Sequence, residues 1–317
     1  MAVLPPDPVF NLRNIEMGPV NCVCFHQAQR LFCGTSKGAV YLWDLQTNRT
    51  PLHFTVGSST APVNSISHLP ETLFTQQKGG IVKAWQITGS GYVLDTTIDT
   101  KHIGYCRFNF HLEDNLMICP KDENSIGIYN SDNFSLQTTL LGADSGLKLG
   151  QIMCFKHIEM SGQRYILAAY ESGDFLTWDL RTGKILHNIT LEECPMALDF
   201  DPISNRGIYG GPHDQLGVFS YSRNTSELIK RGVIGLKNNG INCVSIRKDQ
   251  KVFCSGGWDG RIRIFSWKSL RPLAVLTEHK AAVVDISYSN DKVQLWNAPI
   301  MAASGLDGQI SLWNLYN

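Results

Sequence analysis

The 317-residue sequence carries 28 Lys plus Arg against 28 Asp plus Glu, so its formal net charge is zero, and only 18% of its residues are charged. A chain with no positive excess is not a general binder of nucleic acid or acidic membrane, which would concentrate cations. The 43% of hydrophobic residues, with 14 Phe, 10 Tyr and 7 Trp, exclude a disordered chain, because that much apolar surface offsets the entropy of ordering.

The start, Met1-Ala2-Val3-Leu4-Pro5-Pro6-Asp7-Pro8, has no basic region and no apolar run, so it does not read as a signal peptide. No stretch reaches the ~18 apolar residues of a membrane span. The expected location is the cytoplasm or the nucleus. Val9-Phe10-Asn11-Leu12-Arg13 then reads as a strand with no hairpin partner nearby.

From Val20 onward one unit recurs: a short apolar strand, a second strand ending in small residues, a tight turn, and a third strand ending in an aromatic. The first copy runs through Val20–Phe25 and Leu31–Gly38 to Val40-Tyr41-Leu42-Trp43-Asp44. The closing aromatics are Trp43, Trp85, Tyr129, Trp178, Phe219, Phe265 and Trp313. Their spacing of about 45 residues is that of a propeller blade. In five copies a Gly stands five residues before the aromatic, at Gly38, Gly80, Gly173, Gly260 and Gly308, where a turn requires positive φ.

Fourth strands follow at Leu52–Phe54, Val93–Asp95, Leu136–Thr138, Ile185–His187, Glu227–Ile229 and Leu273–Val275. The seventh unit lacks one, and Val9–Arg13 supplies it. The expected fold is all-β: a seven-bladed propeller over residues 1–317, one domain, its ring closed by residues 9–13. Gly142–Lys148 reads as the linker between blades three and four. Ile286 to Ala303 is longer than the matching hairpin of blade six, which predicts an exposed insertion with Trp296 tucked against the blade and a cleavage site near Lys292.

The nine cysteines, Cys22, Cys24, Cys33, Cys106, Cys119, Cys154, Cys194, Cys243 and Cys254, lack CxxC spacing and read as buried small hydrophobes in a reducing compartment. The sequons at Asn48, Asn133, Asn188 and Asn224 read as chance matches. There is no GxSxG, no GxxxxGK[ST], no HExxH and no zinc-ligand spacing. The sequence therefore predicts no catalytic residue, no metal and no cofactor.

The aromatic period, with the literal Trp43-Asp44 and Trp178-Asp179 dipeptides, resembles the WD40 family along essentially the whole chain. That resemblance implies structural roles for His279, Asp307 and Trp313 of blade seven, where Ala303 replaces the Ser or Thr of the family's hydrogen-bonded tetrad. In blade six it implies such roles for Ser255 and Asp259. Four stretches narrow the likeness. These are Pro6–Arg13; Leu167–Gly173 with Trp178-Asp179; Leu198–Asp201 with Arg206–Ile208; and Gly257-Trp258-Asp259-Gly260-Arg261-Ile262-Arg263-Ile264-Phe265 with Pro272–Leu276, the chain then running Ile310–Tyr316. Together they resemble the guanine-nucleotide-binding-protein β-subunit-like protein 1 family, with its fungal ASTRA-associated protein 1 relatives.

The resemblance implies a non-catalytic adaptor in the maturation and stability of phosphatidylinositol-3-kinase-related kinases. Its partners would be the Triple-T co-chaperone complex, those kinases and the Hsp co-chaperone machinery. The prolines Pro5, Pro6, Pro8 and Pro19 before the first blade leave no room for the helix that holds a G-protein γ subunit, so none is expected and the chain should be monomeric by itself. An alternative is a cullin-ligase substrate receptor docking through Trp178-Asp179-Leu180-Arg181; a third is an enzyme using the propeller channel. For protein binding, Trp258 is the leading residue, because a tight turn does not need a Trp and hot spots favour one. Lys78, Glu171 and Leu306 hold the same turn position in other blades, with Tyr105 near them at the start of a first strand.

Overall fold

Blade one shows why these sequences form these sheets. Its strands are β2 (Val20–His26), β3 (Arg30–Thr35), β4 (Ala39–Asp44) and β5 (Arg49–Thr55). The middle strands are covered on both faces and read as near-continuous apolar or small residues, as in Leu31-Phe32-Cys33-Gly34. The outer strand β5 alternates, Thr50, Leu52 and Phe54 turning inward while the residues between them face solvent. The computed structural model describes residues 5–316 except 28, 58–59, 90, 112–113, 161 and 223–226, so the residues before Pro5, the sequon at Asn224 and Asn317 lie outside the described part.

The same sheet is built seven times. Blade two is β6 (Val63–His68), β7 (Thr72–Gln77), β8 (Ile81–Thr88) and β9 (Gly91–Asp99). Blade three is β10 (Asn109–His111), β11 (Leu116–Lys121), β12 (Ser125–Asn130) and β13 (Leu136–Leu140). Blade four is β14 (Ile152–Met160), β15 (Gln163–Tyr170), β16 (Asp174–Asp179) and β17 (Ile185–Thr190). Blade five is β18 (Ala197–Asp201), β19 (Arg206–Gly210), β20 (Gln215–Ser222) and β21 (Glu227–Gly235). Blade six is β22 (Ile241–Ile246), β23 (Val252–Gly257), β24 (Ile262–Ser266) and β25 (Pro272–Leu276). Blade seven takes β26 (Val283–Tyr288), β27 (Met301–Gly305) and β28 (Gln309–Trp313) from one end of the chain and β1 (Phe10–Arg13) from the other. This is the expected seven-bladed β-propeller arrangement, with no α-helix among the described residues.

Two units emerge. One holds Met1–Gln77, Lys83–Asp95 and Asn242–Asn317; the other holds Lys78–Val82 and Thr96–Ile241. In the first unit β1 pairs antiparallel with β28, Phe10 opposite Leu312 and Arg13 opposite Gln309. Leu12 is fully buried there with Met17, Leu31, Trp43, Ala302 and Ile310, whereas Phe10 is exposed, so Leu12 carries the packing of this strand. A separate core gathers Cys22, Phe32, Leu42, Val63 and Trp85. The second unit has its own cores, one around Ile118, Ile128, Tyr170 and Trp178, another around Leu167, Phe175, Phe200 and Phe219.

All five turn glycines take positive φ, from 75° at Gly260 to 87° at Gly173. There is a second reason for Gly at Gly173 and Gly260: an added Cβ would lie 2.7 Å from the Leu191 carbonyl oxygen and 2.6 Å from that of His279. The ladder slips at the closing aromatic in several blades, between Thr177 and Trp178 and between Ile264 and Phe265 for example, a bulge that re-aims the aromatic relative to its strand. Gly142–Ser145, between blades three and four, forms a short 3-10 turn capped by Gly146 in the left-handed region.

The blade-seven hairpin is the expected exposed insertion only in part. Val293 and Ile300 are fully buried in the core with Leu12, a bridge joins Val293 to Ala298, and Trp296 packs against that core as expected. Gln294 donates its N–H to the Gln29 side chain at 3.1 Å. Val293, Ala298 and Ile300 fold back as a patch of core, while Asn290, Asp291, Lys292, Gln294, Leu295 and Asn297 stay exposed. Protease should therefore cut this hairpin slowly, and fast cleavage after Lys292 in limited proteolysis would show the packing to be transient.

Candidate protein-binding surfaces

Blade seven frames the first surface with a buried polar network. His279 lies between β25 and β26; its Nδ1 is 3.1 Å from Asp307 Oδ1 and its Nε2 is 2.8 Å from Ser311 Oγ. Trp313 Nε1 donates to the same Ser311 Oγ at 2.8 Å. Ser311, on the third strand, thus supplies the hydroxyl that Ala303 does not supply on the second. Ser311 and Trp313 are two apart on one strand and so share a face, which is the signal that would have found it. Blade two holds a related pair, Trp85 Nε1 donating to Thr75 Oγ1 at 2.9 Å. Ser311→Ala would strand two buried ring nitrogens, a loss of about 2 kcal/mol. Chemical denaturation checks it, and a midpoint equal to wild type would refute the role.

In blade six the arrangement is ionic. Asp259 takes bonds from Arg263 at 2.6 and 3.2 Å and from Arg261 at 3.1 Å. Burial alone would raise its carboxyl; the Arg263 and Arg261 bonds outweigh burial and hold it below the usual carboxylate range. Ser255 is buried with its hydroxyl unpaired, and Phe265 stacks on Phe253 with ring centroids 4.8 Å apart. Stacking there takes the place of the Trp hydrogen bond.

These frames position the turns that sequence singled out. Trp258 is 45% exposed, yet its Nε1 donates to Asn242 Oδ1 at 2.7 Å, so the ring is both pinned and presented. Leu306 is 42% exposed on the blade-seven turn of the same unit. In the second unit Lys78 Nζ donates to Tyr105 Oη at 2.8 Å and lies 4.8 Å from the ring centroid. Tyr105 is 66% exposed. Glu171 Oε2 accepts the Gln151 N–H at 3.1 Å, and a Cβ on Gly104 would meet the Gln151 side-chain oxygen at 2.8 Å, so Gln151 links the Tyr105 loop to the Glu171 turn. Exposed apolar residues that escaped the sequence reading include Ile15 in the first unit and Ile103 and Ile203 in the second. An isolated apolar residue in a loop carries no periodic signal.

Trp178 is fully buried, and Asp179 Oδ1 accepts the backbone N–H groups of Arg181 and Thr182 at 2.8 and 3.3 Å. Asp44 does the same for Gln46 and Thr47. Burial would raise the Asp179 carboxyl, but the Thr182 hydroxyl and these N–H bonds outweigh it and lower it. The Trp-Asp dipeptide is thereby explained by strand and turn. The Arg181 side chain is 81% exposed, its guanidinium 4.0 Å from Asp179.

None of the nine cysteines is joined in a disulfide. Burial pushes Cys24 and Cys33 up to about 12, which keeps them protonated and unreactive. Among the described residues no group of three or more His, Cys, Asp or Glu is placed to hold a metal, and no helix is long and apolar enough to cross a membrane. A cavity of about 140 Å³ opens beside Arg247, Tyr288, Met301, Trp313 and Leu315, well under the ~300–1,000 Å³ of cofactor and drug sites.

Two imidazoles meet in the first unit, His26 and His68, with centroids 3.6 Å apart. Burial, then the His26 charge, lowers His68 to about 4; burial, then Arg30, lowers His26. Each folded value lies below the unfolded ~6.5. The stabilisation from keeping the pair neutral is therefore complete above about pH 6.5 and is lost as the pH falls towards about 4. His68→Phe should flatten the fall in melting temperature between those limits; an unchanged slope would contradict the assignment.

The WD domain, G-beta repeat family model matches residues 10–44, 233–266 and 270–314. The chain is 30% identical to mouse "Guanine nucleotide-binding protein subunit beta-like protein 1", over 98% of this chain and 97% of that protein. It is 22% identical to "ASTRA-associated protein 1" of Schizosaccharomyces japonicus, over 98% and 99% of the two chains. The Penicillium rubens protein of that name is likewise 22% identical, over 90% and 82%.

Proposed function

Because the chain belongs to the WD40-repeat family of guanine nucleotide-binding protein subunit beta-like protein 1, we propose that it is a non-catalytic adaptor in the maturation and stability of phosphatidylinositol-3-kinase-related kinases. It acts in this reading with the Triple-T complex and the Hsp co-chaperone machinery, as one cooperative domain over residues 1–317, without a γ subunit, nucleic acid or membrane. The observation that carries the reading is similarity along essentially the whole length to proteins named for ASTRA association as well as for G-protein β likeness. Exposed, pinned aromatics at Trp258 and Tyr105 support it, since anchors held before binding lose little entropy when they dock.

A second reading draws on Arg181, which stands exposed after Trp178-Asp179 and could pair with a carboxylate of a ligase adaptor. Affinity purification with mass spectrometry, comparing wild type with Arg181→Ala and Trp258→Ala, separates the two. The adaptor reading expects Triple-T subunits with wild type and with Arg181→Ala. Recovery of a cullin adaptor that only Arg181→Ala loses, with no Triple-T subunit, would overturn it.

A further inference from the structure

In the first unit, three exposed apolar side chains lie along one continuous run of contacts at the same ends of the strands. Trp258 is bonded to Asn242, whose Nδ2 donates to the Val283 carbonyl at 3.0 Å. The next turn follows, the Leu306 N–H donating to the Ala282 carbonyl at 2.9 Å. Gly308, two residues on, packs against the loop between β1 and β2, where its Cβ would lie 3.1 Å from the Gly18 oxygen. That loop presents Ile15, 99% exposed. It is a built loop: Glu16 N–H donates to Asn14 Oδ1 at 2.9 Å, Lys37 Nζ donates to the Glu16 carbonyl at 2.8 Å, and Met17 is fully buried beneath it. A β-branched side chain held out in water on a fixed loop costs little to dock.

Charge on this surface is sorted by depth. Asp259 is taken up by Arg261 and Arg263, Asp307 by His279 and the Lys280 N–H, and Asp285 by the N–H groups of Val23 and Ile286. Glu278 accepts from Asn11 and lies 3.6 Å from Arg13. The cations Arg13, Lys37 and Lys280 face solvent, with Arg261 half-buried, against one solvent-facing carboxylate, Glu16. Carboxylates point into the frame while ammonium and guanidinium groups rim the apolar anchors, on a molecule whose total charge is zero.

We propose that this surface docks an extended acidic segment of a partner protein, its Leu or Phe side chains seated among Ile15, Leu306 and Trp258 and its Asp or Glu carboxylates on Lys37, Lys280 and Arg261. The inference rests on the adaptor reading only in taking the partner to be a protein; its chemistry comes from this surface. Rim charges of this kind set partner choice and association rate, and salt screens them.

The test is calorimetric titration of the purified full chain with a short synthetic peptide alternating Glu with Leu and Phe, and with its Lys-for-Glu counterpart. The acidic peptide should bind and the basic one should not. Ile15→Asp with Trp258→Ala, and separately Lys37→Glu with Lys280→Glu, should each weaken binding by about tenfold or more. Added salt should weaken the wild-type complex. The altered side chains are exposed, and matching melting temperatures establish that both variants are folded. Equal binding of the two peptides, no binding of the acidic one to wild type, or undiminished binding by both variants would overturn the proposal. Failure of the adaptor reading has a different signature: wild type recovers no Triple-T subunit from cells, whatever the peptides do.

Discussion

Deleting residues 1–13 should lower stability by about 4–6 kcal/mol, from Leu12 at ~1.5–3 kcal/mol and several ladder hydrogen bonds at ~0.5–1.5 each. β1 is the outermost strand of blade seven, held to β28 over Phe10–Arg13, with Val9 N–H adding a bond to the Leu312 carbonyl at 2.8 Å. Its removal exposes the edge of β28 and leaves the core around Met17 and Ile310 without Leu12. Exposed edges also pair with other chains, so the shortened protein should aggregate on heating where wild type does not. Leu12→Ala alone should cost about 2–4 kcal/mol. Phe10→Ala should cost much less, because that ring is exposed. A truncated protein with the wild-type denaturation midpoint would refute this role of β1.

Arg247→Ala should cost about 3–5 kcal/mol. Arg247 follows β22, is buried, and grips Asp249 through Nε and Nη2 at 2.9 and 2.8 Å. The same guanidinium donates to the Leu315 carbonyl and, at 2.9 Å, to the Tyr316 carbonyl. One side chain of blade six thereby satisfies the backbone that leaves blade seven after β28, and Leu315 stays in the core between the two blades. Removing it strands those carbonyls. Arg247→Lys keeps the charge but not the planar fork and should recover only part of the loss. Burial would raise the Asp249 carboxyl, but Arg247 and the Lys251 N–H outweigh it and hold it low. That contribution is present above the ordinary Asp value of ~3.9 and fades as the pH falls below it, a dependence the Ala variant should lack. Denaturation midpoints across pH check both statements, and a variant as stable as wild type would contradict the clamp.

Blade number and strand order were legible because each depends on short-range signals: an aromatic repeated seven times at a fixed period, a Gly in five of the turns where φ must be positive, and a spare strand where one was missing. Individual side-chain partners were not, because they depend on contacts between distant segments. Ser311 looked like an ordinary strand residue until His279 and Trp313 both reached it. Arg247 joins residues 68 and 69 positions away along the chain. The blade-seven hairpin read as an exposed loop from its length, and only Val293 and Ile300 folding into the core correct that. At the candidate surfaces, residue type pointed to Trp258 and turn position to Leu306. Ile15 emerged only from its exposure beside the Leu306 turn. The Lys78–Tyr105 contact was anticipated as nearness, whereas its hydrogen bond depends on how the two loops fold together.

The most direct test of the adaptor reading is rapid depletion of the protein in cells, with the phosphatidylinositol-3-kinase-related kinases and their transcripts quantified over time. The account predicts that several of these kinases fall together while their transcripts hold steady, and that wild-type protein restores them. Unchanged kinase levels, with some other protein accumulating as a ligase substrate would, contradict it.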